Sequence, residues 1–160
     1  MTHIDPSQIQ PPRGLLRLTY RLPVWFYRLG LGWLMGKRFL YLQHVGRKSG
    51  LLRHAVIEVI YYDQAADTYF LVAAYGEKAD WLRNIRKTPQ VSCQVGGRRF
   101  QARAEQLSPE QGEQQIMDYA HRHPTAIRAL VRLIGYRIEG TEEDYRQLGR
   151  VLPVVAVRPL

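Results

Sequence analysis

Cysteine is all but absent. Cys93 stands alone, so the chain forms no internal disulfide and holds no CxxC pair or zinc knuckle. A reducing compartment is the expectation. Lysine is scarce too, at four of the 23 basic residues. Acids are nearly missing from the first third, where residues 1–57 set nine basic side chains against the single acid Asp5. No apolar run is fit to span a membrane, because residues 15–35 are interrupted by Arg17, Arg21 and Arg28, each costly at a bilayer centre. The polar, proline-rich opening has no secretory pattern. HExxH, GxSxG and a Cys/His pair are missing, as is a carboxylate pair placed for glycoside chemistry. No metal site is expected, and a bound cofactor is expected to carry any reaction.

What is present is an ordinary globular composition. Of 160 residues 46% are apolar and 23% charged, which excludes a disordered or collagenous chain. One domain over residues 1–160 is expected, with 1–14 a flexible tail and 15–38 an amphipathic helical segment. The net charge of +9 sits mainly on guanidinium groups, which suit two-pronged contact with carboxylate or phosphate. An anionic partner follows, though charge alone does not name it.

Residues 15–35 read as a basic amphipathic helix. Its three arginines fall in a narrow sector, and Leu15, Leu18, Leu22, Trp25, Phe26, Leu29 and Trp33 gather on another face. Pro23 is expected to kink it or to start a second helix. Trp25, Tyr27 and Trp33 are residue types that settle at headgroup depth. The apolar face either packs on the domain or a dimer mate, or rests on a membrane.

From Phe39 the period changes. Strands are expected over 39–45, 53–62 and 68–74, the last two as an antiparallel hairpin. A short helix over 79–87 follows, then a hairpin of 91–95 and 98–106 turned by Gly96-Gly97. Helices are expected from Ser108 to about His121 and over 126–134. Val151 to Val157 closes as a strand whose Pro153 points to an edge or a bulge. The fold class is α+β, a small and mostly antiparallel barrel with flanking helices.

Two segments carry candidate chemistry. Gly46-Arg47-Lys48-Ser49-Gly50 with Arg53 is a glycine-bounded turn bearing three cations and a hydroxyl, suited to a phosphate or a string of carboxylates. It lacks the spacing of a Walker loop and reads equally as a solvated basic turn. Gly76 to Ile85 opens a helix after a strand, a geometry that favours anions. Trp81 and Asn84 share a face there, either toward a ligand or as core packing and a cap. His44 and His54 flank the basic turn, while His121 and His123 read as surface.

Taken in order, GRKSG-LLR, the block around LVAAYGEKADWLRNI and TPQVSCQVGGRRFQARA resemble the deazaflavin-dependent nitroreductase family. The resemblance is close over residues 22–106 and looser beyond. It implies a split β-barrel of about six strands, related to FMN-binding oxidoreductases. It also implies binding of coenzyme F420, an 8-hydroxy-5-deazaflavin whose phosphate and oligoglutamate tail are strongly anionic. By resemblance, Lys48 and Arg53 meet the tail, with Arg47 and Ser49 in the same turn and Val56 on the next strand. Ala73, Ala74, Tyr75, Gly76 and Lys78 with Trp81 and Asn84 surround the phosphate and ring. Some members carry Ser-Lys-Gly where this chain has Ala74-Tyr75-Gly76. Tyr136, and less readily Tyr119 or Tyr145, answers to substrate-side tyrosines, with Tyr136 the candidate proton donor.

The expected activity is hydride transfer from reduced F420 to a quinone, a nitro compound or a similar electron-poor acceptor. The chain is expected in the cytoplasm, at the inner membrane face if residues 15–35 touch lipid, and a homodimer is an expectation of the resemblance. The rivals are an FMN-binding split-barrel flavoprotein and a non-enzymatic basic protein on anionic membrane or nucleic acid. No helix-turn-helix or RNP-like pattern supports nucleic acid as a partner.

Overall fold

The computed structural model describes Asp5 and residues 15–160, with side chains from residue 22 onward. The expected 1–14 tail, apart from Asp5, and the arginines Arg17 and Arg21 lie outside what it describes. Six strands run β1 Phe39–Val45, β2 Leu52–Asp63, β3 Thr68–Val72, β4 Gln90–Val95, β5 Arg98–Gln106 and β6 Val154–Pro159. They close a barrel in the order β1-β2-β3-β6-β5-β4, every neighbouring pair antiparallel. The helices are α1 Leu15–Arg28, α2 Asp80–Lys87, α3 Pro109–Arg122, α4 Pro124–Leu133 and α5 Glu142–Val151. Single 3₁₀ turns occupy Gly32–Met35 and Gly76–Lys78.

The period-two alternation of the strands sorts their side chains into two cores. Leu40, Leu42, Ile57, Leu71, Val91, Cys93, Val155 and Val157 fill the barrel, which α2 plugs with Leu82 and Ile85. Burial pushes the Cys93 thiol up to about 12, so it stays protonated and inert. The outward residues Ile60, Val72 and Val154 pack under α3, α4 and α5 against Ile116, Ile127, Val131 and Leu148. With both faces covered, β6 reads as a continuous apolar run.

Three expectations need correction. Pro153 does not make β6 an edge or a bulge: β6 lies between β3 and β5. Pro153 stands just before the strand, and its carbonyl accepts from Ala73 N at 2.9 Å. Of the two readings of Pro23, the start of a second helix is excluded, since α1 runs through it to Arg28; the helical segment breaks instead at Leu29–Leu31. Helix α5 was not anticipated, because Glu142–Val151 carries only a narrow apolar stripe. Its start is set by a capping box in which Thr141 and Asp144 bond each other's backbone N–H. It packs tightly on α3 because Gly149 has no side chain: a Cβ there would stand 2.5 Å from Glu113 Cα.

The two populations of apolar residues predict opposite mutational costs. Leu42→Ala, at a site with no exposure, is expected to cost about 3 kcal/mol in urea unfolding. Trp33→Ala, at a side chain 62% exposed, is expected to stay within about 0.5 kcal/mol.

Candidate active site

The site begins with a mismatch of strand lengths. Strand β2 pairs with β1 over Leu52–Glu58 but with β3 only from Val59 to Asp63, with a register shift between Val59 and Tyr61. Beyond Val72 the chain leaves β2, and the Ala73 amide goes to Pro153 instead. The barrel is therefore split along the first half of β2.

Which backbone groups face the split follows from the ladder. Gly46 N donates to Leu51 O at 2.8 Å at one end, and Val59 N to Arg38 O at 2.8 Å at the other. The register between is unbroken, and hydrogen-bonded pairs alternate in an antiparallel ladder. Arg53, Ala55 and Ile57 thus spend their backbone groups on β1. His54 and Val56 turn theirs the other way, where no described strand meets them, while Glu58 turns its own toward Val72 at the end of β3. Buried backbone groups require partners, so this edge suits a flat ligand carrying carbonyl and N–H groups along one side. Tyr75, in the turn just after β3, packs against both cores.

One end of the edge is the basic turn, and Asn84 of α2 holds it in shape. Its Oδ1 accepts from Arg47 N and from the Arg47 guanidinium, both at 3.0 Å. Its Nδ2 is 2.9 Å from His44 Nδ1. Arg47 also pairs with Asp80 at 3.1 Å, and Lys87 Nζ donates to Arg47 O at 2.9 Å. Ser49 Oγ accepts from Leu51 N. Arg47, Ser49 and Asn84 thus have their polar groups engaged within the protein. Lys48 and Arg53 are exposed and form no hydrogen bond or ion pair with a described residue, so their charges remain for an anion.

At the other end Glu58 accepts from Tyr119 Oη at 3.2 Å and from Arg38 Nε at 3.4 Å. Burial, then the Glu58 charge, pushes the Tyr119 hydroxyl up to about 12. Glu58 and Arg38 were not singled out from the sequence; the strand register alone makes them visible. Val56 is half-buried opposite Tyr41. Ala73 lies in the barrel core and Trp81 packs against it, while Ala74 packs on the helical side. Gly76 is buried, and Lys78 is half-buried with an interaction of its own. Tyr136 lies apart. It belongs to the helical core and lines a cleft with Arg128, Val131, Arg132 and Ile138 that no residue of the turn or the β2 edge lines. Its hydroxyl is buried without a partner among the described residues. Among the described residues no three His, Cys, Asp or Glu side chains are grouped to hold a metal.

A split antiparallel barrel, an unpaired strand edge beside the split and two uncommitted cations at its end define a split-barrel oxidoreductase of the flavin and deazaflavin type. The residues fit a deazaflavin: the edge suits its carbonyl-bearing ring, and Lys48 with Arg53 suit its anionic tail. The chain belongs to the F420H(2)-dependent quinone reductase family, whose profile matches residues 19–127. It is a deazaflavin-dependent oxidoreductase, and coenzyme F420 is its cofactor. Among solved structures, an F420-H2 dependent reductase is 20% identical, covering 77% of this chain and 96% of its own, with a TM-score of 0.53. A domain-swapped dimer is 18% identical over 85% of this chain and 99% of its own, at 0.52. A pyridoxinephosphate oxidase family protein from Clostridium acetobutylicum is 8% identical over 84% and 83%, at 0.53. At these identities the likeness is one of fold. No curated protein matches the chain.

The Asn84 network generates a pH prediction. Two Arg47 donors fix Oδ1, so Nδ2 must face His44 and needs a lone pair on Nδ1. Protonating His44 destroys that bond. Burial first, and the neighbouring cations, push His44 down to about 4, against about 6.5 when unfolded. The unfolded chain binds the proton first, so this contribution is complete above pH 6.5, falls as pH drops toward 4 and is flat below. Between pH 7 and pH 4 the wild type should lose about 3 kcal/mol more unfolding free energy than His44→Gln, measured by urea denaturation at each pH.

Proposed function

We propose that one domain spanning the chain binds F420 with its ring along the β2 edge at His54 and Val56 and its tail on Lys48 and Arg53, and reduces a quinone. The observation that carries this reading is the pairing of an unpartnered strand edge with two uncommitted cations at one end. When bound, reduced F420 supplies a hydride from carbon 5. The protein binds and orients. Lys48 and Arg53 attract the tail, Asn84 and Asp80 keep the Arg47 turn from collapsing onto it, and Tyr75 with Val56 shield the gap from water. Such positioning is the main catalytic contribution open to these side chains.

Titration by cofactor fluorescence tests it. Lys48→Ala/Arg53→Ala should weaken F420 binding by roughly 10²-fold, on the order of two charge-assisted contacts. The same variant should leave a tail-less deazaflavin nearly unaffected. Equal loss for both ligands, or binding of FMN alone, would contradict the assignment.

The acceptor is reached from a lipid surface. No helix among the described residues is long and apolar enough to cross a membrane. Yet Leu22, Trp25, Phe26, Leu29, Trp33 and Leu34 are exposed together, next to exposed Arg28, Lys37 and Arg38. An amphipathic segment with aromatic and cationic residues of this kind lies in the interface plane, and the anionic cytoplasmic leaflet favours its charge. Wild type should sediment with anionic vesicles and Trp25→Ala/Trp33→Ala should not, with F420 affinity unchanged in both. Equal sedimentation of the two would remove this helix from the account.

A further inference from the structure

The outer face of the barrel carries a second recess, distinct from the split. It measures about 470 Å³ and runs from β2 across β1 and β4 to β5, with the end of α1 as one wall. Its floor follows from the register: His54 sits across from Gln43, Gln43 from Ser92, and Ser92 from Gln101. At one side three rings are stacked. Tyr27 lies on Tyr41 at 5.0 Å and 9°, and Tyr41 on His54 at 5.5 Å and 11°. Gly32 leaves room for the stack, because a Cβ there would collide with the Tyr27 ring.

The Tyr41 hydroxyl lies 2.6 Å from His54 Nδ1. Burial, then Arg28, holds His54 below its ordinary value, so the ring is neutral near pH 7 and Nδ1 accepts. Its one proton is then on Nε2, which bonds no described residue. The other groups facing His54 in the recess are Tyr27, Arg28, Arg99, Gln43 and Ser92, and His44 adds a Coulombic interaction. No carboxylate lines the recess. It is thus an aromatic-walled site rich in donors, which selects a flat molecule bearing carbonyl oxygens. The same His54 turns its backbone toward the split, so one residue joins the two sites.

Resting on the reading that the protein reduces a quinone, we infer that this recess is the acceptor site and that the Tyr41–His54 pair anchors the quinone oxygen and protonates it. The quinone gains a hydride, and with it two electrons, from the reduced cofactor, which is oxidised. One quinone oxygen takes its proton from His54 Nε2. As that N–H bond breaks, the Tyr41 O–H proton moves to Nδ1, and the proton that the cofactor sheds on losing its hydride returns through water to the Tyr41 oxygen. The products are the hydroquinone and the oxidised cofactor, and the charges balance.

The test separates binding from turnover. Protein without cofactor is titrated calorimetrically with a short-chain naphthoquinone, and F420 affinity is measured in parallel by fluorescence. His54→Phe should weaken quinone binding about tenfold, the worth of one lost hydrogen bond. Gln43→Ala, in the recess but off the cofactor edge, should weaken quinone binding while F420 affinity stays within about twofold. His54→Gln, which restores a donor, should recover part of the binding and serves if the Phe variant does not fold. Tyr41→Phe should bind quinone normally but shift the pH profile of kcat. In the wild type, quinone should move the His54 imidazole nitrogen resonances. Unchanged quinone binding in His54→Phe, unmoved His54 resonances, or a recess closed by a second copy in sedimentation would overturn the inference, even where F420 binding persists. Loss of F420 binding from the wild type would instead sink the reading on which it rests.

Discussion

Backbone hydrogen bonding sets the shape of this protein. A strand buried in a barrel must satisfy its N–H and C=O groups on both sides, and β2 does so for only part of its length. Its neighbour β3 stops at Val72, and the next amide, that of Ala73, is taken by Pro153. Two residues of β2, His54 and Val56, are left facing a gap. The two cores lie on opposite faces of the strands, and the turn after β3 carries Tyr75 into contact with both. A ligand that completes the edge does the work of a missing strand.

Electrostatics then distinguish the ends of the gap. The protein has many cations, and several described ones are neutralised in place. Arg98 is tied to Asp67, Arg86 to Glu77 and Arg47 to Asp80. Exposed pairs of this kind add little stability; here they decide which charges remain. Lys48 and Arg53 remain, on a turn that Asn84 and His44 hold open from behind. Glu58 with Tyr119 closes the opposite end with a carboxylate, so an anionic tail has one favourable direction along the strand.

Much of the barrel was legible in the residues. Alternation over 39–45 and the Gly96-Gly97 turn placed strands where they are found, the strand expected over 68–74 ends at Val72, and the glycine-bounded turn marked the cationic end. The remainder depended on tertiary contacts. Asn84 and Arg47 looked like ligand groups because each is a polar residue beside a glycine-rich turn, and no local pattern shows that they bind each other across 37 positions. Tyr136 matched a substrate tyrosine in kind and position, yet the turn after α4 carries it to another cleft. Helix α5 has too few apolar residues to announce itself. The recess beside His54 joins residues 27, 41, 54, 92–94 and 99–101, and only the register of four strands brings these together.

The most direct test is amide hydrogen exchange along β2, with and without saturating F420. In the free protein the amides of Arg53, Ala55 and Ile57 should be protected, and those of His54 and Val56 should exchange quickly. On binding, the second set should become protected while the first changes little. Protection of His54 and Val56 in the free protein, or no change in them at saturation, would contradict an open strand edge as the cofactor site.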